Sequence, residues 1–165
     1  MAALAVAEPA AGGNFRREAS DMDANDFIAK LDDQPITEAI QQAEATTSGE
    51  IRVFISSQLS ETPLDDARKE FHKLGMTRTP GRNAILLFFA PKSGRFALFG
   101  DEAIYLRADS GFWSEVTGEM EVLLRAGKLG EAVLLGIRRA GAELSRHFPK
   151  NPGDRNDLPD TVVRD

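Results

Sequence analysis

From Asp32 onward the spacing of apolar residues changes rhythm several times, and each change marks an element. In DDQPITEAIQQAEATT, Ile36, Ile40 and Ala43 recur at helical spacing behind Pro35, with Asp32 or Asp33 as cap, which predicts a short amphipathic helix ending near Thr46. The period then falls to two. Ile51, Val53 and Ile55 alternate with Arg52, Phe54 and Ser56, the pattern of a strand over Glu50 to Ser57. Thr62 precedes Pro63, and Leu64, Ala67, Phe71 and Leu74 form a helical stripe that stops at Gly75. NAILLFFA, residues 83 to 90, is a continuous apolar run, as expected for a central strand covered on both faces. Pro91 to Gly94 reads as a turn, and RFALFG, residues 95 to 100, as the returning arm of a hairpin. Two further helical stripes follow, Phe112 to Leu124 and Leu129 to Leu144, the second closed by His147-Phe148-Pro149.

This order predicts an α/β fold, a three-layer α/β/α sandwich around a small mixed sheet with one parallel crossover and one hairpin. Residues 1 to 26 carry Ala, Gly, Pro and scattered charge without periodicity and read as a mobile tail. The domain spans 27 to 150, with Phe27, Ile28 and Leu31 docking on it. Residues 151 to 165 form a turn-rich, extended C-terminal segment.

The topology sets which ends meet. A crossover helix makes the first two strands parallel and the hairpin makes the third antiparallel, so Asp101 and Glu102 fall on the edge where Glu50 and Asn83 begin their strands. Glu44, Thr47, Ser48, Arg78, Thr79 and Arg82 belong to the same edge. Crowded carboxylates share protons or hold a hard cation through oxygen, and neighbouring arginines grip a phosphoryl group bidentately. Each residue alone reads more simply as a solvated loop residue or ion pair. The opposite edge collects Ser56, Ser57, Thr62, Asp65 and Asp66, but capping and the helix dipole account for those without a ligand.

Composition narrows the chemistry. A net charge of -6, from 26 acidic against 20 basic residues, argues against a nucleic-acid partner and for an affinity toward cations. The 165-residue chain has no cysteine and only His72 and His147, which excludes thiolate chemistry and histidine-rich metal motifs. DRND, residues 154 to 157, departs from a calcium-binding helix-loop-helix pattern, and no G-x-S-x-G elbow, P-loop or H-E-x-x-H occurs. The longest apolar run is far shorter than the roughly 20 residues that span a bilayer, so a soluble, cytoplasmic protein without direct membrane insertion is expected.

TSGEIRVFI, FHKLGMTRT with RNAILLFFAP, RFALFGDEAI, FW, and the closing HFP with NDLPD together resemble the TPM domain family, over about residues 27 to 162. That family is named for thylakoid-lumen, photosystem II repair and acetylcholine-receptor auxiliary proteins. The resemblance implies an α/β/α domain, acid phosphatase activity in some members, divalent-cation binding in others, and roles beside membrane complexes. Its motifs fall on Thr47, Ser48, Gly49, Glu50, Thr79, Arg82, Asn83, Gly100 and Asp101, the edge reached above from topology.

Two functions follow as expectations. One is a divalent-metal-dependent phosphatase acting on phosphomonoesters: Glu44, Glu50 and Asp101 hold Ca²⁺ or Mg²⁺, Arg78, Thr79, Arg82 and Asn83 bind phosphate, and Glu102 or Asp101 carries the proton. A phosphate dianion approaching an acidic surface needs the cation to offset repulsion. The other is a non-catalytic, metal-stabilised binding module assisting a membrane-associated complex or a membrane-anchored TPM partner.

Overall fold

The computed structural model describes residues 10–14, 29 and 31–165. Asp32 caps α1 (Asp33–Glu44) by accepting the Gln34 N–H at 3.1 Å, and the helix buries Ile36, Ile40 and, at its end, Glu44. Strands β2 (Glu50–Ile55) and β3 (Ala84–Ala90) are buried along their whole length. Between them α2 (Pro63–Lys73) turns over at Gly75, whose φ of 71° is the left-handed geometry glycine tolerates best. Thr62 occupies the cap position of α2 without making a side-chain cap bond.

Pro91–Ser93 and left-handed Gly94 reverse the chain into β4 (Arg95–Gly100). Next come a six-residue helix α3 (Glu102–Arg107), where the periodicity predicts only a loop, then α4 (Phe112–Arg125) and α5 (Leu129–His147). A two-residue strand β5 (Val163–Arg164) ends the chain.

The sheet order is β1-β4-β3-β2-β5, where β1 is Ala10–Asn14. β2 runs parallel to β3, and β3 antiparallel to β4, as the crossover and hairpin require. Alternate residues feed two cores. Ile51, Val53, Ile55, Leu87 and Leu98 pack with α1, α4 and α5; Phe54, Leu86, Phe88 and Phe99 pack with Ala67 and Phe71 of α2. Helices therefore cover both faces, giving the α/β sandwich and explaining why the β3 run is continuously apolar and why Phe54, on the alternate face of β2, is also buried.

Two edge strands lie where periodicity gives no signal. β1 falls inside the stretch that reads as a mobile tail and pairs antiparallel with β4, from Ala10 opposite Phe99 to Asn14 opposite Arg95. A Cβ on Gly13 would lie 2.4 Å from the Phe96 ring, so glycine lets the strand cross that side chain. The other residues of that stretch, with Phe27 and Ile28, lie outside the described residues, while Leu31 is buried as expected.

One contact in the helical layer makes a test. A Cβ on Gly141 of α5 would lie 2.6 Å from Ala43 Cβ of α1, whereas one on Gly118 in α4 meets nothing within 4 Å. Gly141→Ala should lower stability by ~1–3 kcal/mol through overpacking. Gly118→Ala should raise it by ~0.5–1 kcal/mol through helix propensity. Urea denaturation of both variants reads the contrast.

Candidate functional site

Glu50 stands opposite Ala84, and Ile85 opposite Gly100, so Glu50 and Asp101 share one edge of the sheet. Asp65 and Asp66 begin α2, which follows the other end of β2. The polar groups at the first edge separate into two arrangements.

The first is centred on Asp101, where β4 leaves the core. Asp101 is the N-cap of α3: its Oδ1 accepts the Glu102 N–H at 2.8 Å, and its own N–H donates to Ala84 O at 2.9 Å. The same carboxylate is gripped by Arg82, Nε to Oδ2 and Nη2 to Oδ1, both at 2.8 Å. This hydrogen-bonded pairing raises the guanidinium pKa. Arg82 has φ of 50°, a left-handed conformation in a non-glycine residue, and its carbonyl accepts the Ala103 N–H at 3.0 Å. Asp101 thus ties the loop before β3 to the start of α3. Glu102 is exposed beside it, as is Arg78 in the 3₁₀ turn Met76–Arg78. Thr79 and Asn83 are buried; Asn83 Nδ2 donates to Ser48 Oγ at 3.2 Å, while Thr79 Oγ1 and Asn83 Oδ1 have no protein partner.

The second arrangement is a buried set of acids. Glu44 is 7% exposed and Glu50 2%. Glu44 Oε2 accepts the Ile51 N–H at 2.7 Å and Glu50 Oε1 the Asp157 N–H at 2.6 Å, while Glu44 Oε1 and Glu50 Oε2 are buried without a protein partner. Burial, followed by the neighbouring Asp160 carboxyl and the charge of Glu50, drives the Glu44 carboxyl far above the ordinary carboxylate range, against the Ile51 N–H. Burial also raises Glu50. Arg52 is the nearby cation; burial pulls its pKa down despite Asp160, Glu50 and Glu44, and its Nε lacks a partner.

The expected trio of Glu44, Glu50 and Asp101 is thereby divided. Glu44 and Glu50 meet, but both Asp101 oxygens are taken by Arg82 and the α3 cap, and the three carboxylates do not bring ligand atoms within 4.8 Å of one another. The C-terminal segment instead brings exposed Asp157 and half-buried Asp160 beside Glu50 and Glu44, with Asn156 Nδ2 donating to Asp160 Oδ1 at 3.0 Å; no three of these four carboxylates bring ligand atoms within 4.8 Å of one another either. Periodicity passes over these aspartates because the segment has none. The available signal was Leu158, an apolar residue in a polar stretch, which packs against the α2 core and draws the segment onto the domain. A cleft of about 450 Å³ opens between the C-terminal segment and the loop before β3, lined by Ser48, Pro80, Gly81, Asp154, Arg155 and Asp157 among others.

The far edge is internally satisfied. Ser56 Oγ and Ser57 N–H donate to Asp165 at 2.9 and 2.5 Å, and Ser60 Oγ donates to Asp66 at 2.6 Å.

With this geometry in place, comparison with known families decides the lineage: the TPM domain profile matches residues 22–143. The chain belongs to the TPM domain family. Three chains of solved structures match this TPM domain. One is the NMR structure of BA42 protein from the psychrophilic bacterium Bizionia argentinensis, 29% identical, with a TM-score of 0.75 over 82% of this chain and 96% of that one. No curated protein matches it. The profile match ends before Asp157 and Asp160, so the exposed and the half-buried aspartate that flank buried Glu50 and Glu44 lie in a segment beyond it. Among the described residues of this TPM domain no helix is long and apolar enough to cross a membrane.

Proposed function

We propose that this TPM domain binds a hard divalent cation, Ca²⁺ or Mg²⁺, at the buried acid set, with Glu44 and Glu50 at the centre and Asp157 and Asp160 beside them. The observation that carries the reading is the pair of buried oxygens, Glu44 Oε1 and Glu50 Oε2, left without partners next to further carboxylates. A buried carboxylate oxygen with no donor costs several kcal/mol unless it is protonated or meets a cation. Oxygen-only chemistry without cysteine or histidine suits Ca²⁺ and Mg²⁺. In this role the cation clamps the C-terminal segment onto α1 and β2, and the domain serves as a cation-stabilised binding module for a membrane-associated complex or a membrane-anchored TPM protein.

Phosphomonoester hydrolysis is the second reading. It is favoured by the unpartnered Thr79 Oγ1 and Asn83 Oδ1 in the loop that holds Arg78 and Arg82. There Arg78 and the exposed side of Arg82 orient phosphate, and Glu102 rather than the engaged Asp101 carries the proton. A bound cation supplies charge neutralisation and lowers the pKa of water.

Titration of the purified protein with Ca²⁺ and Mg²⁺, followed by NMR shifts, tests the first reading. Glu50 and Ile51 amides should move, and Glu50→Gln should weaken binding at least tenfold. Unchanged affinity in that variant overturns the site. Hydrolysis of p-nitrophenyl phosphate by wild type, lost in Arg82→Ala with cation binding intact, would establish the second reading; no hydrolysis across acidic and neutral pH leaves the binding module.

A further inference from the structure

A different cluster lies where the chain entering α4 meets the last turn of α5, and it contains the chemistry that the acid set lacks. Glu143 and His147 stand one turn apart on α5, and His147 Nε2 lies 2.9 Å from Glu143 Oε1. Asp109, from the loop after α3, places Oδ1 3.9 Å from the same imidazole nitrogen. One ligand atom from each of the three falls within 4.8 Å of the others; among the described residues no other trio of His, Asp or Glu does so.

We propose that Asp109, Glu143 and His147 form a second divalent-metal site, one that takes Zn²⁺ and similar borderline ions and is independent of the acid set. Ligands at 2.0–2.2 Å from a tetrahedral ion stand roughly 3.3–3.6 Å apart, and the observed 2.9 and 3.9 Å bracket that spacing. An imidazole with two carboxylates selects Zn²⁺ over Ca²⁺ and leaves a fourth position for water. The frame is organised before any ion arrives. The Asp109 N–H donates to Glu143 Oε1 at 3.1 Å, fixing the loop against the helix, and Glu143 is 8% exposed while His147 remains half-buried at the surface. The last turn of a 19-residue helix adds carbonyl oxygens whose dipole favours a cation.

Arg146 forms a fork with both Asp109 oxygens, Nη2 to Oδ1 at 2.8 Å and Nη1 to Oδ2. Unlike buried Asp101, whose Oδ1 also caps a helix, Asp109 holds only a solvent-exposed guanidinium, so an ion at Oδ1 displaces one of these bonds and leaves Oδ2 to Arg146, which then orients the ligand from behind.

Co²⁺ is a suitable probe because tetrahedral coordination gives intense visible absorption. The full chain should bind one equivalent with that spectrum, and Zn²⁺ should displace it. Glu50→Gln should leave the spectrum unchanged. His147→Asn and Asp109→Asn, both at accessible positions, should each weaken Co²⁺ binding at least tenfold while keeping the wild-type circular dichroism. Absence of the tetrahedral spectrum in wild type, its persistence in His147→Asn, or its loss in Glu50→Gln overturns the proposal; the first two leave Ca²⁺ binding at Glu44 and Glu50 untouched, and the third would place the ion there.

Discussion

Replacing Asp101 by alanine will destabilise the domain by ~2–4 kcal/mol and leave cation affinity within twofold of wild type. The side chain carries two charge-assisted bonds from Arg82 and the cap bond to the Glu102 N–H. Hydrogen bonds to charged groups contribute ~1.5–3 kcal/mol, and loss of an N-cap costs ~0.5–2 kcal/mol. The terms overlap, because Arg82 is about half exposed and regains water when its partner is removed. Arg82 would also lose the clamp that holds its left-handed backbone. Asp101→Asn keeps part of the cap and should cost less than alanine. Guanidinium denaturation together with Ca²⁺ titration checks both halves: a large loss of cation affinity in either variant would return Asp101 to the ligand set and remove Asp157 and Asp160 from it.

Raising the pH without divalent cation will weaken the fold, and adding Ca²⁺ will reverse the loss. Glu44 and Glu50 have folded-state pKa values above those of the unfolded chain, so the folded protein retains protons that the unfolded chain releases. Their contribution is fully present below the ordinary carboxylate range and is lost as pH rises toward the elevated values, at up to ~1.4 kcal/mol per pH unit for each group. Asp33 acts in the opposite sense. The hydrogen bond from Arg164 lowers its pKa, so its contribution is lost only in acid and does not mask the effect between pH 5 and 8. A cation takes the place of the protons, so its benefit should grow across that window. At a hundredfold excess over Kd it amounts to ~2.7 kcal/mol, which in a domain of this size is roughly 5–10 °C in Tm. Urea melts at pH 5, 6.5 and 8, with chelator and with Ca²⁺, measure this directly. Glu44→Gln should flatten the chelator series and blunt the Ca²⁺ response; a flat wild-type series would show that the two carboxyls are not held protonated.

Local pattern was enough to place α1, α2, α4, α5 and strands β2 to β4, because each buries a face whose period is written in Ile, Leu, Val and Phe. It also brought Glu50 and Asp101 to one edge, since a helical crossover and a tight hairpin leave little freedom in strand direction. β1 and β5 escaped for a shared reason: edge strands are held by backbone bonds to a neighbour, and Gly12, Gly13, Val163 and Arg164 carry no period of their own. What tertiary structure alone decided was which carboxylates meet. Glu44, Glu50 and Asp101 are equivalent as an edge list, yet a carboxylate's role depends on the donor that reaches it first. Arg82 and the α3 cap take Asp101, whereas Glu44 and Glu50 meet Asp157 and Asp160 of a segment more than 100 residues later, brought onto the domain by Leu158.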